Sequence, residues 1–450
     1  MTATARTAAF HALRAVAEGH ADLAAALAVS RRQLKDERDR ALAAEIVLGT
    51  ERWRRCLDCL IEHFARRATP DIDSDVLHIL RLSLYQVLHL DRVPVSAVVD
   101  DAVDLARHAR KAKAAGFVNA VLRATLRERR RLPLPPRPRD PDDRQAALAY
   151  LGVTHSHPEW LVARWLDRVG FDAAERWVRF NNEAPRLTLR ANTPSTSRDA
   201  VAAALAAAGV ETVPAAHAPD GLVVTAGNPL RGPGDGTFFV QDEASQLVSH
   251  AVAARPGERV LDLCASPGGK SVSMAADVGA AGLVIACDVR PRRLRLLHRT
   301  VQTSGARCVR IVHVPVAGGL PFAPVFDRVL VDAPCSGLGT IRRDPDIKWR
   351  RRESDLRTCA EAQRALLGRA ADAVAPGGRL VYATCSSEPE ENEAVVDAYL
   401  SERQDFQLLD LRGDGRAALA PFLDARGMFR TLPFAHGLEA FFAAAMVRRL

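Results

Sequence analysis

The segment 260–271, VLDLCASPGGKS, decides how the C-terminal part of the chain folds. Its first residues form an apolar run that predicts a buried strand, and Gly268 and Gly269 allow a tight turn before a predicted helix. A turn of this kind brings backbone N–H groups and a helix N-terminus close to a ligand. The segment therefore predicts a strand–turn–helix unit that can hold a bound molecule.

Around this segment, apolar runs alternate with helical stretches. The runs predict strands at 259–263, 283–287, 309–314, 328–331 and 379–383, and the stretches predict helices at 269–277, 291–303, 356–375 and 391–402. Such alternation predicts an α/β, Rossmann-like domain with a parallel, doubly wound sheet. We expect its ligands at the carboxyl ends of the strands.

Three kinds of ligand compete for the turn. A P-loop needs glycine where Cys264 stands, and the dinucleotide fingerprint Gly-x-Gly-x-x-Gly is absent. A nucleoside-type cofactor without a triphosphate, such as S-adenosylmethionine, remains, and Asp288 ends the next predicted strand, where an acid can bind ribose hydroxyls. A plain turn that binds nothing is the alternative. The candidate cofactor-binding residues are Cys264, Ala265, Ser266, Pro267, Gly268, Gly269, Lys270 and Asp288.

Two cysteines follow two other predicted strands of the same sheet. Cys335 lies in DAPCSG (332–337) and Cys385 in YATCS (382–386). A lone buried cysteine is usually a small apolar residue. Two of them, each followed by serine and both on the rim of the cofactor turn, indicate a catalytic thiol pair.

The other cysteines give no sign of a metal site. Cys56 and Cys59 form a single Cys-x-x-Cys inside a helical pattern, whereas zinc needs four ligands. Cys287, Cys308 and Cys359 occupy predicted core or helix positions, and the 13 histidines show no metal spacing. We therefore predict that the protein holds no metal.

A thiol pair beside an S-adenosylmethionine pocket suggests methylation of cytosine at C5. Thiolate addition to C6 turns the ring into an enamine whose C5 can attack the methyl sulfonium. The adduct must then lose the C5 proton and expel the thiol, and a carboxylate is needed to hold the N3/N4 edge. Cys385, Cys335 and Asp332 have the right types, but spacing leaves open which thiol attacks.

The N-terminal part of the chain has a different pattern. Apolar residues three and four apart from 7 to about 128 predict six or seven helices, and the proline-rich segment 132–143 predicts a linker. The next hundred residues predict a small α+β module, with helices at 159–169, 173–180 and 199–208 and strands at 187–190 and 221–225. The predicted division is a helical domain (1–131), a linker (132–144), an α+β module (145–240) and a catalytic domain (241–450).

Composition excludes several classes of protein. The 450 residues are 48% hydrophobic and 26% charged, which excludes global disorder. No apolar stretch of membrane-spanning length and no signal region appears, and eight cysteines are too few for a disulfide scaffold, so we expect a cytoplasmic protein. The net charge of +8 favours a polyanionic partner.

Several long motifs point to one family. They are the turn 264–270, the stretch DAPCSGLGTIRRDPDIKW (332–349) and YATCS (382–386) followed by PEEN (389–392). Upstream, GFVNAVLR (116–123) is similar to the end of a NusB-like RNA-binding helical domain, and QDEAS (241–245) fits the lead-in to a catalytic domain. Over nearly its whole length the chain resembles the bacterial 16S ribosomal RNA cytosine-C5 methyltransferases of the Sun (RsmB) type.

This resemblance implies roles for the site residues. The Cys of the family's Thr-Cys motif is the nucleophile and the Cys of its Pro-Cys motif assists product release, which assigns these roles to Cys385 and Cys335. It also implies S-adenosylmethionine as cofactor, bound by residues 264–270, Asp288 and Asp332. We expect a monomer that binds 16S rRNA and neither metal nor membrane. The alternatives are the same chemistry on tRNA or another RNA, and a non-catalytic RNA-binding ribosome-assembly protein.

Two positions depart from the family pattern. The acid that follows the third strand is missing from HVPVAGGL (313–320), around Ala317, so either cofactor affinity is lower or a backbone group replaces the acid. The family's His-x-x-Asp-Gly-Phe-Phe becomes HGLEAFF (436–442). Glu439 keeps the charge, but Ala440 takes positive φ less readily than glycine.

The basic segment that covers the end of the helical domain and most of the linker generates a first prediction. Nine Lys or Arg and one acid, Glu128, lie between Lys111 and Arg139. Because phosphate contacts position an RNA without reading its bases, this arm should contribute affinity and not target choice. Replacing Arg129, Arg130 and Arg131 by Ala should weaken RNA binding and flatten its salt dependence by up to about three charges.

The measurement is the dissociation constant across a salt series, with the methylated position mapped at high enzyme concentration. The same nucleotide should be modified. An unchanged salt slope with normal affinity would show that these arginines are solvated or structural, and a shifted methylation site would show that the arm selects the target.

Overall fold

A computed structural model describes residues 4–231 and 236–450. Its helices are α1 (Ala5–Ala17), α2 (Leu23–Gln33), α3 (Glu37–Arg52), α4 (Arg54–Ala65), α5 (Ser74–His89), α6 (Val95–His108), α7 (Ala115–Arg127), α8 (Arg144–Ala149), α9 (Glu159–Val169), α10 (Phe171–Asn182), α11 (Arg198–Ala207), α12 (Glu243–Val252), α13 (Gly269–Val278), α14 (Pro291–Ser304), α15 (Ile347–Arg350), α16 (Ser354–Ala371), α17 (Glu393–Glu402) and α18 (Pro433–His436). Its strands are β1 (Thr188–Ala191), β2 (Glu211–Pro214), β3 (Gly221–Ala226), β4 (Phe238–Val240), β5 (Arg259–Asp262), β6 (Leu283–Asp288), β7 (Val309–His313), β8 (Phe326–Asp332), β9 (Val374–Thr384), β10 (Phe406–Leu409), β11 (Phe429–Arg430) and β12 (Phe442–Arg448). None of the helices in these ranges combines the length and apolar character needed to cross a lipid bilayer.

The described chain forms two units. One ends at Glu183 and also includes Ile341–Arg350, and the other comprises Ala184–Thr340 and Arg351–Leu450. The domain boundaries drawn from the sequence stay predictions.

The first unit begins with the predicted all-helical region, α1 to α7. Ile79, Leu80, Leu82 and Leu84 of α5 are fully buried, so this helix is apolar on more than one face and the other helices must surround it. No helix or strand occupies residues 128–143, and Leu132 packs against the helical core. The prediction of a small helical region is confirmed, and the linker stays a prediction.

The segment Ile341–Arg350 belongs to the first unit because it binds the end of α3. The Nζ atom of Lys348, which is fully buried, donates to the carbonyl of Arg52 at 2.8 Å, and the Trp349 indole donates to the carbonyl of Glu51 at 2.6 Å. The last carbonyls of a helix lack partners within the helix and carry partial negative charge. The Lys-Trp pair of the sequence motif therefore satisfies the C-terminus of a helix that lies about 300 residues earlier in the chain.

The second unit starts with a small four-stranded sheet. Its order is β2-β3-β1-β4, and all neighbouring pairs are antiparallel. Helix α11 covers it through Val201 and Leu205, which pack with Leu189 and Leu222. The mixture of helix and strand is as predicted, but β2 and β4 were not expected. Each of these strands is short, and β2 is largely exposed.

The larger sheet is mixed, which corrects the prediction of a parallel sheet. Its order is β10-β12-β9-β8-β5-β6-β7, with β11 paired to β12. The five strands from β7 to β9 are parallel to one another, as predicted. β12 runs antiparallel to both β9 and β10. Its sequence FAAAMVR (442–448) contains three alanines and gives little strand signal, so partners on both sides have to supply the stability.

Both faces of this sheet are covered by helices. Val260 packs into a cluster with α12, α13 and α14, whereas Leu261 packs into a cluster with α16 and α17. Successive residues of one strand thus point to opposite cores, as expected for a doubly wound fold.

Three predicted boundaries were wrong. The helix predicted to end at 375 ends at Ala371, and the strand predicted to begin at 379 begins at Val374. Gly377, with φ of +75°, lies where the β8–β9 pairing is irregular, so the early part of β9 is bent. This part therefore lacks the regular apolar pattern from which a strand is predicted. The helix predicted from 391 begins at Glu393, because Pro389–Glu391 forms a separate 3₁₀ turn.

Candidate active site

The cofactor turn joins β5 to α13. Gly268 has φ of +112°, and a Cβ atom there would lie 2.9 Å from Leu297 Cδ1, so the turn requires glycine. No side chain caps the start of α13, and its first backbone N–H groups remain available to a ligand. The turn therefore fits a nucleoside-type cofactor better than a packed structural turn.

Asp288 lies where the sequence places it, at the end of β6. Its carboxylate accepts a hydrogen bond from the Arg290 backbone N–H at 3.0 Å and pairs with Arg293 Nε at 3.2 Å. Arg293 also donates to the carbonyl of Ser266 at 2.6 Å. Asp288 and the turn are thus fixed to each other through one arginine.

Asp262, at the end of β5, belongs to the same region but was not singled out from the sequence. Its side chain is buried and accepts a hydrogen bond from Ser271 Oγ at 2.6 Å. Burial raises the pKa of Asp262 to about 7. The available signal was an acid inside an otherwise apolar strand.

Lys270 and Asp332 connect the cofactor turn to the end of β8. Lys270 Nζ donates to Asp332 Oδ2 at 2.7 Å and lies 5.8 Å from the centre of the Phe441 ring. Burial alone would lower the pKa of Lys270, but Asp332 and the nearby Cys385 outweigh burial and the pKa is raised. Lys270 therefore stays cationic, with its charge close to one of the two thiols.

The two predicted catalytic thiols, Cys335 and Cys385, are in contact. Cys335 follows β8, Cys385 follows β9, and their sulfur atoms are 3.3 Å apart. The parallel pairing of β8 with β9 places Asp332 opposite Ala383, which brings the two strand ends to the same level. The hydrogen bond to Cys385, together with burial, raises the pKa of Cys335 well above its ordinary value.

The remaining thiols of this unit are poor nucleophiles. Burial raises the pKa of Cys264 far above its usual range, that of Cys287 to about 12 and that of Cys359 to about 11. No cluster of three or more His, Cys, Asp or Glu suited to a metal ion occurs in residues 4–231 and 236–450.

Glu391 links the two thiol loops. This fully buried carboxylate accepts hydrogen bonds from Ser336 N at 2.8 Å, from Ser336 Oγ and Ser386 Oγ at 2.5 Å each, and from Gln363 Nε2 at 3.0 Å. The two serines directly follow Cys335 and Cys385. One side chain therefore fixes both loops. Glu391 lies in the PEEN motif (389–392), but nothing in the sequence indicates this role.

Gly339 brings the two loops into direct contact with the C-terminal segment. Its N–H donates to the carbonyl of Cys385 at 2.9 Å, and its carbonyl accepts from the Ala440 N–H at 3.0 Å. A Cβ atom at 339 would lie 2.0 Å from the Ala440 oxygen, so only glycine fits.

The departure at 439–440 costs no backbone strain. Ala440 is buried and is absent from the residues with positive φ, so alanine is accommodated in ordinary geometry. The loop after β7 contains no acid, and Val316 within it is 76% exposed.

A Rossmann-like sheet with a glycine turn and an acid at the end of its second parallel strand fits a nucleoside-type cofactor such as S-adenosylmethionine. The profile of the 16S rRNA methyltransferase RsmB/F family matches residues 249–447. The NusB family profile matches residues 3–127, and a ferredoxin-like domain profile of RsmF/B-like methyltransferases matches residues 157–231.

Individual relatives agree with these profiles. The ribosomal RNA small subunit methyltransferase B of Pseudomonas putida is 36% identical over 418 residues, covering 90% of this chain and 91% of the relative. The Bacillus subtilis protein named probable ribosomal RNA small subunit methyltransferase B is 34% identical over 434 residues, covering 94% and 93%. The crystal structure of PH0851 superimposes with a TM-score of 0.80 at 26% identity, covering 98% of this chain and 97% of that one.

The chain belongs to the 16S rRNA methyltransferase RsmB/F family. The family resemblance drawn from the sequence is confirmed, as are the NusB-like N-terminus and S-adenosylmethionine as the cofactor of the family.

The position of Glu391 generates a prediction. Glu391→Ala leaves the buried Ser336 N–H without an acceptor, at a cost of about 1–3 kcal/mol, and frees both thiol loops. Since misplacement of reacting groups by about 1 Å can cost about 100-fold in rate, single-turnover methyl transfer should fall by about that factor.

The matched control is Glu402→Ala, which removes an exposed carboxylate paired with Arg364. Surface pairs of this kind contribute about 0–1 kcal/mol, so the control should keep the rate and melting temperature of the unaltered protein. If Glu391→Ala behaves like the control, Glu391 does not fix the thiols.

Proposed function

We propose that this protein transfers a methyl group from S-adenosylmethionine to C5 of a cytosine in 16S ribosomal RNA through a covalent adduct between Cys385 and C6. The observation that carries the proposal is the 3.3 Å separation of the Cys335 and Cys385 sulfur atoms, beside the Lys270–Asp332 pair. Two thiols at one rim fit a reaction in which a thiol is first added and later expelled.

Cys385 is the proposed nucleophile. Lys270 is the partly buried cation near it, and the family resemblance gives the attacking role to the Cys of the Thr-Cys motif. Its sulfur adds to C6 and makes C5 an electron-rich enamine carbon. S-adenosylmethionine supplies the electrophilic methyl group when it is bound.

Cys335 is proposed to act in release. After methylation, C5 carries both the methyl group and its original proton. Removal of that proton restores the C5–C6 double bond as the C6–sulfur bond breaks and Cys385 leaves as a thiolate. That proton passes to solvent, and Cys335, whose sulfur lies 3.3 Å from that of Cys385, donates a hydrogen bond to the departing sulfur.

The other site residues are proposed to bind. The turn 264–270 and Asp288 would hold the cofactor through backbone N–H groups and a carboxylate. Asp332 is proposed to face the N3/N4 edge of cytosine. Its ion pair with Lys270 keeps that carboxylate beside the thiols.

The RNA substrate is supported by the relatives and by charge. The Pseudomonas relative is named as a small-subunit ribosomal RNA methyltransferase, and the chain matches nearly its whole length. In the basic segment, Lys111 pairs with Asp73 and Arg137 with Glu175. Arg129, Arg130 and Arg131 are exposed, without an ion pair to any described residue.

The test of this function is bisulfite sequencing of 16S rRNA from a deletion strain that carries a plasmid copy of the gene. The unaltered copy should restore one 5-methylcytosine. Cys385→Ala should restore none while the purified variant still binds S-adenosylmethionine, because the cofactor turn lies on another strand end. Cys308→Ala, which removes another partly buried thiol of the same unit, is the control and should restore the modification. Turnover by Cys385→Ala would remove this residue from the nucleophile role, and an unmodified rRNA with the unaltered gene would favour tRNA or a non-catalytic role.

Cys335→Ala should trap the covalent protein–RNA adduct, because Cys385 can still attack but release is blocked. The readout is a retarded band on a denaturing gel with labelled RNA. Cys385→Ala should give no such band. A retarded band from the Cys385 variant alone would mean that the two roles are exchanged.

A further inference from the structure

The positive charge of the chain is concentrated in two segments. Residues 111–139 carry a net charge of +8, and residues 289–326 carry seven arginines and no acid, a net charge of +7. Subtracting both from the chain's net +8 leaves −7 for all other residues. An arginine-rich composition spread evenly along the chain would not produce this distribution. The second segment, in the catalytic unit, is not used by the proposed chemistry.

Helix α14 displays most of this charge on one face. Leu297 is fully buried, and Leu294 and Val301 pack against the core beneath the sheet. Arg292, Arg295 and Arg299 are exposed. These three arginines are spaced three and four residues apart, so they form a single stripe on the solvent side of the helix. We refer to Arg292, Arg295 and Arg299 as the α14 stripe.

The α14 stripe has no neutralising partners. None of its three arginines forms an ion pair with a residue in 4–231 or 236–450; Arg293 of the same helix, by contrast, pairs with Asp288. Three other exposed arginines of the catalytic unit do have acidic partners: Arg364 pairs with Glu402, Arg412 with Asp410 and Arg426 with Asp397. Uncompensated charge on a rigid helix repels itself, and a polyanion bound there would relieve that repulsion.

The stripe is attached to the cofactor turn. Arg293, within α14, donates to the Ser266 carbonyl and pairs with Asp288, so the helix is joined to the cofactor turn. The turn after α14 continues the charge, with Arg307 and Arg310 exposed. The loop 313–320, which lacks the family's acid, adds no negative charge to this surface.

We propose that the α14 stripe binds the phosphate backbone of the substrate RNA and holds it on the catalytic unit without reading its sequence. This rests on the proposed function for the identity of the polyanion. Arginine matches phosphate oxygens with paired N–H donors, and one helical turn of about 5.4 Å spaces the side chains on a scale comparable to successive phosphates. The stripe is separate from the 111–139 arm, which belongs to the other unit.

The test replaces Arg292, Arg295 and Arg299 together by Ala in the full chain. The control replaces Arg364, Arg412 and Arg426, which removes the same charge from the same unit. Fluorescence anisotropy measures the dissociation constant for a 16S rRNA transcript, and for an unrelated transcript of equal length, across a salt series. For the stripe variant, the salt slope should fall by about two to three with both RNAs, since each phosphate contact contributes about 0.7–0.9. The control should keep the slope of the unaltered protein.

A third variant, with Lys at all three stripe positions, keeps the charge and should keep most of the slope. This rescue separates charge from packing, and a melting curve with S-adenosylmethionine binding confirms that each variant is folded. Methylation by the stripe variant should show a raised KM for RNA with kcat retained.

If the stripe variant shows the salt slope and affinity of the control, the proposal is overturned. The same result is expected if an acidic protein, and not RNA, binds the stripe. An effect confined to the 16S transcript would also contradict sequence-blind binding. Because the binding readout needs no chemistry, it is distinct from a failure of the proposed function, which would show as absent methylation by the unaltered enzyme.

Discussion

One buried carboxylate, Glu391, joins the two thiol loops of the candidate active site. Cys335 and Cys385 lie 50 residues apart, at the ends of two different strands, and they can serve one substrate only if their loops keep a fixed spacing. Glu391 provides it by accepting four hydrogen bonds, three of which come from the serines that follow the two thiols. Hydrogen bonds to a charged group contribute about 1.5–3 kcal/mol each, and a buried acceptor that lost them would pay the full desolvation cost. The network is therefore stable only when both loops are in place.

Other parts of the fold make this arrangement possible. The pairing of β8 with β9 sets the two strand ends level, and β12 closes the far side of β9. Gly339 lets the first thiol loop approach the backbone of Cys385 and Ala440 without a side chain between them. Lys270 and Asp332 then add a partly buried ion pair that joins the thiol rim to the cofactor turn.

Much of this could be predicted from local sequence. The five parallel strands, the glycine turn and the two cysteines at strand ends all leave short-range signals: apolar runs, turn residues and motifs at the carboxyl ends of strands. The acid at Asp288 was found for the same reason. These features depend on residues that are neighbours in the chain.

The features that were missed depend on distant partners. β12 is rich in alanine and becomes a strand because β9 and β10 pair with it. The segment Ile341–Arg350 looked like part of the catalytic domain, yet Lys348 and Trp349 bind the end of α3. Glu391 is one of several acids in its motif, and only the folded chain shows that it alone reaches both serines. No local pattern encodes contacts of this kind.

The central claim is that Cys385 forms the covalent bond to the RNA while Cys335 remains free. RNA containing 5-fluorocytidine tests it directly, since a fluorine at C5 cannot leave as a proton and the adduct cannot collapse. After incubation with S-adenosylmethionine and digestion with trypsin and ribonuclease, mass spectrometry should find the modified nucleotide on the peptide 380–403, which contains Cys385 and no other cysteine. If the modified nucleotide is found instead on the peptide 329–342, which contains Cys335, the account is contradicted.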